Sequence, residues 1–149
     1  MSTAQQARPG PAAASGPVPA GLLVVGLGSA GRRHLRSLLA LETLRPLRVL
    51  RSGHGVAPDP DWRHLPEHRD LEAALAEKPA AVVVANPTAL HVPVALAAAR
   101  AGCHLLVEKP LGGSLEGVAE LRAEVERRRL TVLVGYQFRL HPTLLRVLE

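Results

Sequence analysis

The chain has 149 residues, 47% of them hydrophobic, enough for one domain with a sizeable core. Only 2% are aromatic (Trp62, Tyr136 and Phe138), so the core must be built from Val, Leu and Ala, and no apolar run approaches the ~18 residues of a membrane span. The net charge is +5, but the basic residues are scattered over helix faces with no aromatic interleaving, which argues against nucleic acid and leaves attraction of phosphorylated ligands.

Residues 1–20 are Ala, Pro, Gly, Ser and Gln with one charge, Arg8, and are read as a disordered leader. They show no charged start followed by an apolar stretch, so no secretory signal is expected. The apolar residues 21–26 predict a strand that runs straight into Gly26-Leu27-Gly28-Ser29-Ala30-Gly31, with a helix from about Ser29 to Leu44. Strand, G-x-G-x-x-G and helix in that order are the context in which the motif signals a dinucleotide. Gly26 permits the tight turn, Gly28 the approach of backbone to a pyrophosphate, and Gly31 close packing of helix on strand. Ser29, Ala30 and Arg32 lie on the first helical turn, whose N–H groups and dipole favour phosphate. Leu35, Leu38, Leu39 and Leu41 form the helix's inward stripe.

Leu47–Leu50 reads as the second strand, followed by a turn at Arg51–Gly55 and a Pro-rich stretch to Pro66. Asp70 is placed to cap a helix from Leu71 to about Lys78, which Pro79 ends. Ala80–Ala85 is a continuous apolar run of the kind found in buried parallel strands. Asn86-Pro87-Thr88 then turns into a helix from about Leu90 to Ala101, capped by Gly102. His104–Glu108 predicts the next strand and Lys109–Gly113 a loop, with Ser114 capping a helix to about Arg129. The run Arg127-Arg128-Arg129 closes that helix, where cations suit the dipole. Thr131–Gly135 is a fifth strand. Alternating strands and helices predict an α/β fold with a doubly wound, mostly parallel sheet.

In such sheets ligands bind beyond the carboxyl ends of the strands. The residues expected there are the glycine loop, Arg51 and Ser52, Asn86, Pro87, Thr88 and His91, Glu108 and Lys109, and finally Tyr136 and Arg139. Arg51 lies twenty residues past Gly31, where a carboxylate would favour NAD. With Arg and Ser there instead, a 2′-phosphate is the better match, so NADP is favoured over NAD. Lys109 is held between Glu108 and Pro110 and could present its ammonium to a substrate oxygen; it could equally be a surface lysine before a proline turn. A cis bond to Pro110 would re-aim it. His91 either faces the nicotinamide or packs and caps its helix. Tyr136, Arg139 and His141 either hold a polyhydroxy or anionic substrate or form an interdomain hinge. A single cysteine, Cys103, excludes an internal disulfide and suits the cytoplasm. The histidines show no metal-ligand spacing, so no metal is expected.

Four motifs together resemble the Gfo/Idh/MocA oxidoreductases. They are Gly26-x-Gly28-x-x-Gly31-x-x-His34, Asn86-Pro87-Thr88-x-x-His91, Glu108-Lys109-Pro110-Leu111 and Gly135-Tyr136-Gln137-x-Arg139-x-x-Pro142. The resemblance spans about residues 21–145. It implies a Rossmann fold over 21–140 and hydride transfer between NADP or NAD and a sugar, cyclitol or related alcohol. It also implies that Lys109 binds the reacting oxygen, assists proton transfer and is the catalytic residue of this chain. The resemblance implies a second domain with the substrate pocket and a catalytic histidine, which 141–149 would only begin, the rest being expected to be missing here. The expected partners are a sugar-like small molecule and either further copies of the chain or a separately encoded C-terminal domain, with no nucleic acid and no membrane. A non-catalytic nucleotide-binding module is the alternative.

Overall fold

The computed structural model describes residues 21–41, 46–53, 60, 62–136, 141 and 146. The leader, Arg139 and most of 141–149 therefore lie outside the described residues. Strands β1 (Leu22–Val25), β2 (Leu47–Leu50), β3 (Glu67–His68), β4 (Ala81–Val84), β5 (His104–Val107) and β6 (Val132–Val134) form one six-stranded sheet. The order is β3-β2-β1-β4-β5-β6 and every pairing is parallel. Helices α1 (Ser29–Leu39), α2 (Leu71–Ala76), α3 (His91–Arg100) and α4 (Val118–Arg128) connect the strands, and a 3-10 turn over Thr88–Leu90 leads into α3.

Alternation of side chains along each strand divides the core into two layers. Leu23, Val25, Val82, Val84, Leu105 and Val107 face α2, α3 and α4. Val24, Val49 and Val83 face the other way, against Leu35 of α1 and the loop residues Trp62 and Leu65. Both faces of the central strands are thus covered, which is why they read as unbroken apolar runs. Each fully buried Leu or Val contributes about 1.5–3 kcal/mol. The Ala-rich face of α3 (Ala95, Ala98 and Ala99, all buried) lets the helix sit close on the sheet.

Local signals account for most boundaries. Asp70 caps α2 as expected, its carboxylate accepting from the Ala73 amide at 2.8 Å. The α3 terminus closes as a Schellman motif. Gly102 is left-handed (φ +87°), its amide donates to Ala99 and the Cys103 amide donates to Ala98.

Three features depart from expectation. Helix α1 ends at Leu39 rather than Leu44, and Leu41 is 52% exposed instead of completing the inward stripe. Ser114 does not cap α4; its hydroxyl accepts from the Glu116 amide two residues on, and the helix begins after Gly117. The reason lies in the loop's packing. A Cβ on Gly112 or Gly117 would approach Val92 of α3 to 2.7 or 3.0 Å, so the loop lies flat on α3 before the helix can start. Strand β3 was not expected at all. It is two residues long, has no apolar pattern and exists through its pairing with β2. Arg127 and Arg128 close α4 as expected; both pair with Glu124, pulling its carboxyl down to about 2, and these exposed pairs add little stability.

Candidate functional site

Because all six strands run the same way, the loops after β1, β2, β4, β5 and β6 meet at one edge of the sheet. The glycine loop is the best-defined part. Gly26 is left-handed (φ +87°), and a Cβ there would lie 2.6 Å from Asn86 Cα, so the loop after β1 presses directly on the loop after β4. A Cβ on Gly31 would lie 1.9 Å from the Gly26 carbonyl oxygen, so this glycine is required for the helix to start where it does. Gly28 differs: a Cβ there would meet nothing within 4 Å. Space above Gly28 is open, and no side chain caps α1 at that point. The amides of the first turn (Ser29, Ala30 and Gly31) are therefore left for an external acceptor. Arg32 donates its amide to the Gly28 carbonyl at 3.0 Å, so only its side chain remains to meet a phosphate.

Asn86 supplies a second opening. Its side-chain Oδ1 is buried and has no hydrogen-bond partner among the described residues. A buried, unsatisfied polar atom is costly unless a ligand or water completes it. An open glycine, an uncapped helix end and an orphaned amide side chain, all on one edge, fit a dinucleotide. Pro87 and Thr88 follow Asn86 into the 3-10 turn on the same edge.

The loop after β5 is tied to both neighbours. Glu108 is only 6% exposed, and its Oε1 accepts from His34 Nε2 at 2.7 Å and from Arg33 at 3.1 Å. Its Oε2 accepts from the Lys109 amide at 3.2 Å. Burial pushes this carboxyl up, but the hydrogen bonds from His34 and Lys109 and the charges of His34 and Arg33 outweigh it, holding it below the usual carboxylate range. Glu108 therefore clamps the start of the Lys109 loop to the helix that follows the glycine loop. Lys109 itself is exposed, and its bond to Pro110 is cis, as the sequence allowed.

His91 is buried, with 2% exposure. Its Nδ1 lies 2.8 Å from the Pro110 carbonyl and its Nε2 2.8 Å from the Asn86 carbonyl. Both ring nitrogens face acceptors, and a neutral ring has one N–H to donate between them. The ring joins the β4 and β5 loops from beneath and does not open onto the edge. Arg51 stands at the end of β2 with its guanidinium on Glu67 at 3.3 Å, and Ser52 beside it is exposed. Tyr136 is 63% exposed. Arg139 lies outside the described residues.

The sequence alone places His34 in a motif without giving it a role, and carries no signal for Arg33, Glu67 or Arg69. The partner of His34 lies 74 positions along the chain. No local pattern could reveal that pair.

The fold and its edge define a class: a nucleotide-binding α/β domain with a phosphate cradle at its first strand. The chain matches the model of the Gfo/Idh/MocA oxidoreductase family, NAD-binding Rossmann fold, over residues 21–136. It belongs to that family. It is 32% identical over 123 residues to the UDP-N-acetylglucosamine 3-dehydrogenase of Acidithiobacillus ferrooxidans, covering 81% of this chain and 38% of that one. The solved structure of GenD2 from gentamicin A biosynthesis in complex with NAD is 34% identical, with a TM-score of 0.74 over 85% of this chain and 37% of that one. The scyllo-inositol dehydrogenase of Lactobacillus casei, 20% identical with a TM-score of 0.73 over 85% of this chain and 39% of that one, shares the fold. The chain thus spans about 40% of the length of the relatives it matches.

Proposed function

We propose that this chain is the cofactor-holding part of an NAD(P)-dependent oxidoreductase that oxidises or reduces a carbinol carbon of a sugar, nucleotide sugar or cyclitol. The observation that carries the reading is the clamp of Glu108 on α1, which sets Lys109 at the same edge as the open glycine loop. The amides of Ser29, Ala30 and Gly31, with the Arg32 side chain, hold the pyrophosphate. Arg51 and Ser52 stand toward the adenosine side and favour NADP over NAD. Asn86, Pro87 and Thr88 line the nicotinamide half, where the Asn86 amide finds the partner it lacks. His91 fixes the two loops that border this half. When bound, the nicotinamide ring supplies or accepts the hydride.

Lys109 Nζ binds the reacting substrate oxygen and holds the proton that leaves or joins it as the carbinol and carbonyl forms exchange. Tyr136 and Arg139 border the substrate. The dehydrogenase activity of a relative on a UDP-sugar supports this substrate class.

The test is Lys109→Ala in an enzyme that joins this domain to a substrate-binding domain. Turnover should fall by about 10²–10⁴-fold, the usual worth of a positioned acid–base group, with cofactor affinity retained. Unchanged turnover would remove Lys109 from the chemistry.

A further inference from the structure

The strand pair β2–β3 places two arginines at the adenosine side of the edge. Leu50 lies opposite His68, and the Arg51 amide donates to the His68 carbonyl at 3.0 Å. The parallel strands therefore end side by side, and the residues that follow them, Arg51 and Arg69, emerge at the same place. Glu67 lies between them. Its Oε2 accepts from Arg51 at 3.3 Å, and its Oε1 stands 3.6 Å from Arg69 Nη2, beyond hydrogen-bond distance. Both guanidiniums lie beside the Glu67 carboxylate.

The turn after β2 is shaped around Arg69. Gly53 is left-handed (φ +82°), and a Cβ there would lie 2.5 Å from Arg69 Nη1 and 3.3 Å from its Cζ. The guanidinium thus lies across a backbone that carries no side chain. Arg69 is 71% exposed while Arg51 is 11% exposed, so Arg51 is fixed and Arg69 has room to turn.

We propose that Arg69 is a specificity-determining residue for the cofactor: it turns from Glu67 onto the 2′-phosphate of NADP, completing with Arg51 a two-arginine clamp after β2 and β3. This rests on the reading above that the β2 end faces the adenosine ribose. A phosphate monoester accepts paired hydrogen bonds from a guanidinium in a fork geometry, which the 2′-hydroxyl of NAD does not match. Glu67 holds both side chains near the site while it is empty and lies beside them when the phosphate arrives. A like charge so close to the phosphate limits the affinity, so Glu67→Gln should strengthen NADP binding.

The test is calorimetric titration of the 149-residue chain and of its Arg69→Gln and Glu67→Gln variants with NADP and with NAD. Arg69→Gln should weaken NADP at least about tenfold, the loss of one charge-assisted hydrogen bond, and leave NAD within about twofold. Glu67→Gln should raise the preference for NADP. The wild-type preference should shrink with added salt. An Arg69→Gln variant that leaves the NADP-to-NAD ratio unchanged, by moving both or neither, overturns the role of Arg69 while the cofactor reading stands. A folded wild-type chain that binds neither cofactor overturns the cofactor reading itself and this inference with it.

Discussion

Glu108 shows how one buried carboxylate organises a site whose reactive groups lie on different strands. Its two oxygens join Arg33 and His34, on the second turn of α1, to the amide of Lys109. A folded-state pKa held below the unfolded value, near 4.3 for Glu, means stability that is fully present above that value. It is lost as pH falls through the lower, folded value. Glu108→Gln should therefore destabilise the domain by about 1.5–3 kcal/mol at neutral pH, the worth of hydrogen bonds to a charged group. The gap to the wild type should begin to narrow as pH falls below about 4.3, the unfolded value, and go on narrowing through the lower, folded one. Urea melts at pH 7 and pH 3.5 measure it, and an equal gap at both would show that the charge of Glu108 does not hold the loop. The residue scale was also the least legible from sequence. Glycine spacing is local, so the conformational needs of Gly26 and Gly31 could be read directly. The His34–Glu108 and His91–Pro110 bonds join distant segments and emerge only on folding.

Elements with a strong local signal came out where their residues place them. Strand β2 spans Leu47–Leu50 as read, and Asp70 opens α2. Errors arose where packing overrode a local preference: Ser114 looked like a cap, yet Gly112 and Gly117 had first to lie against Val92. One terminus retains a mismatch. Helix α4 ends with Arg129 in the left-handed region (φ 56°), where the Leu130 amide donates to Val125 and the Arg129 amide to Glu126. Glycine occupies this position in α3, and an L side chain there costs about 1–2 kcal/mol. Arg129→Gly should raise stability by about 0.5–1 kcal/mol, the strain relief less the extra entropy of the unfolded chain. A thermal melt checks it, and a lower melting temperature would mean that the Arg129 side chain contributes more than its backbone costs.

The whole molecule follows from the alternation visible in the sequence. Apolar strands and amphipathic helices gave a doubly wound parallel sheet, and parallel strands brought the loops after them to one edge. Core integrity can be followed through Cys103, the single cysteine, which has no solvent exposure and whose thiol burial pushes up to about 11. Since the thiolate is the reactive form, an aromatic disulfide reagent at pH 8 should modify it only as the domain opens. The rate should match the opening seen in amide exchange of the neighbouring β5 strand. Immediate reaction would show that the packing of α3 on the sheet is looser than described.

The central claim is that the open edge at the glycine loop receives a dinucleotide. Gly28 offers the most direct measurement, because a Cβ there meets nothing in the protein within 4 Å, whereas one on Gly31 would clash with the Gly26 carbonyl. Calorimetric titration of the wild type and Gly28→Ala with NADP and NAD, alongside their melting curves, separates binding from folding. The account predicts equal melting temperatures, one site per wild-type chain, and affinity at least about tenfold weaker in Gly28→Ala, where the methyl group meets the pyrophosphate. Equal affinity in the two proteins would contradict it and place any bound nucleotide elsewhere.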